Sequence, residues 1–183
     1  MTARRSKAMR RILTALVLNV ASMTAVFAHG PTPQKVDEGV IIAAPPAAVW
    51  ALVKKFGDIA SWHPGLSAST GQVDKEAGET RTVKLKSGGE LVEGLDYATE
   101  EEMKLGWRLS KEDVDVFPVS SYSSSIAVTP AEGGSEVRWV ARLYRADTGN
   151  EPPPGKDDAT AVEVTTAFIK QGLEGLKAKL EAK

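Results

Sequence analysis

His63 and Glu93 are the two side chains whose type and setting could carry acid–base chemistry in this sequence. Glu93 falls in Leu91 to Ala98, a run in which Leu91, Glu93, Leu95 and Tyr97 share one side of an alternating strand. A carboxylate on an otherwise apolar face needs a partner, because burying it unpaired is costly. His63 closes a short segment that Pro64-Gly65 stops, so its imidazole is expected at the mouth of whatever space the strand faces. Within reach of Glu93 it would complete a proton-transfer pair. Arg81, on the neighbouring strand, offers a competing arrangement: a structural ion pair with Glu93, with His63 left as the end of a short helix.

Other chemistries have less to stand on. The chain has no cysteine, which excludes disulfides, thiolate metal sites and thiol nucleophiles. Ser120, Ser121, Ser123, Ser124 and Ser125 lack a Gly-x-Ser-x-Gly frame and read as a strand with small inward residues. Glu100-Glu101-Glu102 is a solvated turn, since consecutive side chains diverge. Neither a phosphate loop nor a dinucleotide fingerprint is present. No catalytic residue, cofactor or metal is therefore assigned.

The N-terminus addresses the compartment. Arg4, Arg5, Lys7, Arg10 and Arg11 precede an apolar run from Ile12 to Phe27 that closes on Val26-Phe27-Ala28. This is the order of a secretory signal peptide, and polar interruptions make the run a poor membrane span. The expected division is a signal peptide over 1–28 and one domain over 29–183, periplasmic after cleavage. Cleavage removes five of the 23 basic residues and none of the 24 acidic ones, leaving a net charge near −6. Such a surface disfavours nucleic acid and anionic membrane as partners and leaves room for a basic protein. Cleavage would also make His29 the terminal residue, where amine and imidazole together could chelate copper or simply belong to an exposed leader.

The elements that must position His63 and Glu93 follow from periodicity. Val36 to Ile42 reads as a strand. Prolines 45 and 46 open a helix over Ala47 to Phe56, and Asp58 can cap a second short one through Trp62. Leu66 to Gln72 is a weak strand. Thr80 to Lys86 places Arg81, Val83 and Leu85 on one side. Met103, Leu105, Trp107 and Leu109 alternate next, then Tyr122, Ser124, Ile126 and Val128, then Val137, Trp139, Ala141 and Leu143, with Arg138, Arg142 and Arg145 facing away. Asp147 to Asp157, rich in Gly and Pro, links to a final helix. There Val162, Thr165, Ile169, Leu173, Leu176 and Leu180 form one stripe, and Val164, Phe168 and Gly172 a second. Consecutive strands at hairpin spacing followed by a long helix make an α+β domain, with space for a cavity between sheet and helix.

Ala44-Pro45-Pro46-Ala47-Ala48-Val49-Trp50-Ala51-Leu52-Val53, Phe56-Gly57, Trp62-His63-Pro64-Gly65, Gly78-Glu79-Thr80-Arg81, Glu93-Gly94-Leu95 and the Trp139 strand resemble, in order and spacing, the START-like or SRPBCC superfamily of polyketide cyclases, dehydrases and lipid-transport proteins. The resemblance spans Val36 to Leu180. It implies a helix-grip fold: a curved antiparallel sheet wrapped around the long C-terminal helix, with two short helices after the first strand. It implies a small hydrophobic or amphipathic ligand. The leader His29-Gly30-Pro31-Thr32 and Trp62-His63-Pro64 further resemble periplasmic accessory factors of methanol oxidation, which implies a periplasmic redox protein as partner. The abscisic-acid receptors share the fold. Laid over this chain, their cavity positions fall on His63, Glu93, Trp107 and Tyr122 and near Val164, Phe168 and Gly172, although their hormone-gating loops are not preserved. The lining expected for a ligand is thus His63, Val83, Leu85, Glu93, Trp107, Tyr122, Trp139, Val164 and Phe168. An aromatase/cyclase-type enzyme using His63 and Glu93, and a purely protein-binding factor, are the competing functions.

Overall fold

Alternation becomes strand at every place where the sequence shows it. In the computed structural model, which describes residues 30–71 and 78–182, the strands are β1 (Gln34–Ile42), β2 (Leu66–Gly71), β3 (Thr80–Leu85), β4 (Glu90–Thr99), β5 (Lys104–Lys111), β6 (Val119–Ala131) and β7 (Gly134–Arg145). The expected signal peptide over 1–28, His29 with its possible copper site, and Gln72 at the end of the expected second strand lie outside the described residues. The strands form one sheet in the order β1-β7-β6-β5-β4-β3-β2. All neighbours are antiparallel, so β2 to β7 is a meander and only β1 pairs across the chain, with β7.

Two short helical segments follow β1. Helix α1 (Pro46–Val53) starts on proline, which lacks the donor that a first helical turn cannot use. Its buried face is Val49, Trp50 and Val53. A 3-10 segment, Phe56–Ser61, comes next, and Asp58 lies inside it rather than capping it. The long helix α2 (Asp158–Glu181) is capped by Asp157, whose side chain accepts from the Thr160 amide at 2.8 Å. Ala161, Thr165, Ile169, Gly172, Leu173 and Leu176 are its buried residues, and it packs chiefly on β1 and β7. A curled sheet closed by a long helix, with two short helical segments after the first strand, is the helix-grip fold. Among the described residues no helix is long and apolar enough to cross a membrane.

The strand reading fails at two side chains, each for a local reason. Tyr97 was expected on the inner face with Glu93 but is 38% exposed. The β4–β5 register shifts between Leu95 and Tyr97, and this bulge turns Tyr97 outward. Its ring then lies over Gly106, where an added Cβ would come within 2.4 Å of it. Arg145 was expected to face away with Arg138 and Arg142, yet it is buried. Its odd number gives it the parity of Trp139 and Leu143. Its guanidinium donates to Asp158 Oδ2 at 2.8 Å and to the carbonyls of Asp147 and Gly149 at 2.7 Å each, tying the linker to the start of α2.

Candidate ligand-binding site

Register builds the centre of the site. Arg81 on β3 lies directly across from Glu93 on β4, and Trp107 on β5 is paired with Leu95, two residues further along β4. Tyr122 on β6 completes a row of inward side chains across four strands. Glu93 Oε2 accepts from Arg81 Nε at 2.5 Å, while Oε1 accepts from Trp107 Nε1 at 2.8 Å and from the Tyr122 hydroxyl at 2.5 Å. Arg81 also donates through Nη1 to the Phe56 carbonyl at 2.7 Å and lies over the Phe56 ring at 4.1 Å. Both charges are buried, with side chains 2% and 5% exposed. Burial, and then the Glu93 charge, push the Tyr122 hydroxyl well above its ordinary range, so it stays protonated and donates. The carboxylate is thus saturated by an ion pair and two neutral donors, and the same guanidinium docks the 3-10 segment onto the sheet.

His63 belongs to a different cluster. Its Nδ1 accepts from the Gly65 amide at 3.1 Å, which fixes the proton on Nε2, and Nε2 donates to the Phe168 carbonyl at 3.1 Å. The ring lies 4.1 Å from the Phe168 ring and edge-on to Trp139 at 6.2 Å. It is 1% exposed, and burial depresses its pKa from 6.5 to about 4. This tight docking depends on two glycines of α2. A Cβ at Gly172 would stand 2.6 Å from His63 Cδ2, and one at Gly175 would stand 2.2 Å from the Trp62 carbonyl oxygen. His63 therefore sits under the helix instead of at a mouth, and no hydrogen bond joins it to Glu93. The acid–base pair does not assemble; the Arg81–Glu93 ion pair does.

The space between sheet and helix has two compartments. The inner one is bordered by Glu93, Trp107, Tyr122, Trp139, Thr165 and Phe168 and measures about 10 Å³ to the centre of a water-sized sphere, room for roughly one water. The outer one, about 510 Å³ by the same measure, opens between the Lys86-Ser87 turn, Pro64-Gly65, Val116-Phe117 and the Val164 to Gln171 face of α2. Phe117 and Phe168 border both, with ring centroids 5.7 Å apart, and form the partition. Two residues that border the inner compartment carry buried polar atoms with no hydrogen-bond partner, Trp139 Nε1 and Thr165 Oγ1.

The expected lining is therefore split. Glu93, Trp107, Tyr122 and Trp139 border the inner compartment, Leu85 and Val164 the outer, and Phe168 both. Val83 is buried in the core and, like His63, borders neither. Phe117 and Thr165 were not among the expected residues. Phe117 lies in a loop without periodicity, whereas Thr165 was legible as a hydroxyl in an otherwise apolar helical stripe.

The sequence profile described as polyketide cyclase / dehydrase and lipid transport matches residues 33–181. The chain belongs to that family. Solved structures carry the same cyclase/lipid-transport fold. A solution NMR structure from Thermobifida fusca is 27% identical, with a TM-score of 0.61, over 80% of this chain and 95% of that one. The protein XoxI from Bacillus cereus is 19% identical, with a TM-score of 0.64, over 82% and 96%. Ara h 8.0201 is 14% identical, with a TM-score of 0.63, over 83% and 100%; at that identity the likeness is one of fold. No curated protein sequence matches the chain.

Proposed function

We propose that the chain is an exported, periplasmic carrier of a small hydrophobic or amphipathic ligand. The observation that carries this reading is the partitioned space. An outer groove adjoins a small inner compartment, and Phe117 and Phe168 border both. A ligand entering the groove reaches the inner aromatics by displacing these two rings, at the cost of their packing. Membership of a family described by lipid transport supports a hydrophobic ligand. The basic-then-apolar N-terminus supports export. Leu85 and Val164 would hold the outer part of the ligand, and Trp107, Tyr122 and Trp139 the inner part, with Phe168 at the boundary. Glu93 would shape the compartment through its own partners. A role beside a periplasmic redox protein in methanol oxidation is supported by the expected signal peptide, the His29-Gly30-Pro31-Thr32 leader and the Trp62-His63-Pro64 segment.

The test is uptake of the neutral fluorophore N-phenyl-1-naphthylamine by the purified mature protein, with native mass spectrometry of the same protein isolated from its host. Saturable uptake that tightens in Phe168→Ala, and a retained small-molecule mass, are the expected results. Absence of both refutes the carrier. A second reading, a protein-binding factor whose cavity is vestigial, is favoured by one observation: the inner compartment holds no more than about one water. It predicts no uptake in either protein. N-terminal sequencing checks the export step, and a mature chain should begin at His29.

A further inference from the structure

Trp139 Nε1 and Thr165 Oγ1 are the buried, unpartnered polar atoms of the residues that border the inner compartment, where Ser124 adds a half-buried hydroxyl. Glu93, Trp107 and Tyr122 satisfy one another. Trp139, on β7, and Thr165, on α2, come from opposite walls; they are 2% and 4% exposed, and neither polar atom has a partner. A threonine hydroxyl inside a helix commonly bonds the carbonyl one turn back. Thr165 does not, and its hydroxyl remains available. Leaving two such groups dry is costly, so their pairing with an occupant is strongly favoured.

We infer that Trp139 and Thr165 form the polar anchor of the carrier, and that it holds one neutral, hydrogen-bond-accepting oxygen of an otherwise apolar ligand, an alcohol or a ketone. The inference rests on the carrier reading and specifies its ligand. The chemistry follows from the donor set. An indole N–H only donates, so the group facing it must accept. A hydroxyl accepts from Trp139 and donates to Thr165; a ketone accepts from both. An ammonium has no lone pair for the indole. A carboxylate would need a buried cation, and the Arg81 guanidinium is already bonded to Glu93 and to the Phe56 carbonyl. The apolar remainder of the ligand passes between Phe117 and Phe168 into the outer groove. In the absence of ligand the anchor takes the single water for which the compartment has room.

Four probes of one chain length separate the possibilities: 1-decanol, decane, decanoate and decylammonium, added to the mature protein at pH 7. Binding is followed in nitrogen–proton NMR spectra, where the four tryptophans give four indole signals. Decanol should shift the Trp139 indole signal and bind more tightly than the other three. Thr165→Val, which keeps the shape and removes the hydroxyl, should weaken decanol about 3- to 10-fold and leave decane unchanged. Trp139→Phe should abolish the preference for decanol; Thr165→Val decides the matter if that variant does not fold. Equal binding of decanol and decane, or tighter binding of either ion, overturns the anchor while leaving a carrier. Failure of all four probes, together with no uptake of the naphthylamine fluorophore, overturns both.

Discussion

Acid should destabilise this protein through one imidazole. His63 is wrapped by Phe168, Trp139 and Trp62, and its Nδ1 is occupied as an acceptor for the Gly65 amide. A second ring proton would sit where that amide donates, in a site with little water to solvate the charge. Burial accordingly lowers the pKa from 6.5 to about 4, against the smaller opposing effect of the Phe168 carbonyl. The native state thus refuses a proton that the unfolded chain accepts. Stability is complete above pH 6.5, falls as pH drops from 6.5 towards 4, and levels off below, where both states are protonated. With those two values, the loss at pH 4.5 relative to pH 7.5 is about 2.5 kcal/mol. The assay is urea unfolding at both pH values, followed by tryptophan fluorescence, for the wild type and His63→Gln. Carboxylates common to both proteins cancel in the comparison. Hydrogen bonds from Arg138 and then Lys35 hold Asp37 well below the usual range, so its contribution is lost only at more acidic pH. The wild type should lose about 2.5 kcal/mol more than the variant between the two pH values. Equal losses, within about 0.5 kcal/mol, would show that the His63 cage admits the proton and that the packing described is wrong.

Glu93→Gln should cost about 3–5 kcal/mol in the same unfolding assay, because it leaves the Arg81 guanidinium buried without its counter-charge. Replacing both partners together by apolar residues should recover much of that loss; a single variant as stable as the wild type would contradict the ion pair. Gly172→Ala should destabilise by roughly 1–3 kcal/mol even though alanine is the better helix former, since its methyl meets the His63 and Trp139 rings. A rise in melting temperature would show that the helix does not sit on that turn. Leu173→Ala should cost about 2–5 kcal/mol, and a change below roughly 1 kcal/mol would place α2 at the periphery.

The alternation of Leu91, Glu93 and Leu95, and of Val137, Trp139, Ala141 and Leu143, made the sheet legible because strand parity is a local property. The stripe from Val162 to Leu180 made α2 legible for the same reason. The Arg81–Glu93 pair was within reach, since adjacent hairpin strands bring inward residues together. The position of His63 was not. It depends on where a turn lands against a helix more than a hundred residues later, and on two glycines of that helix: Gly172 reads as part of an apolar stripe, and Gly175 carries no signal of its own. Tyr97 and Arg145 show the two ways parity misleads: a bulge breaks it, and a miscount hides it. Phe117, in an aperiodic loop, carries no signal until the loop folds over the groove.

The pairing of β1 with β7 has a consequence for how the chain comes to fold. Gln34 meets Leu143, and α2 must then settle on both strands before the concave apolar face is covered. The contacts of β1 with β7 and with α2 are therefore long-range, and they require closing a large loop before any contact rewards it. A nascent chain grows by about 5–20 residues per second, so the sheet spends seconds with its inner face exposed while the remaining elements are made. Without its C-terminal helix, the chain has only an uncovered sheet and nothing to grip. That delay leaves the apolar face of the growing chain open to chaperones until the helix arrives.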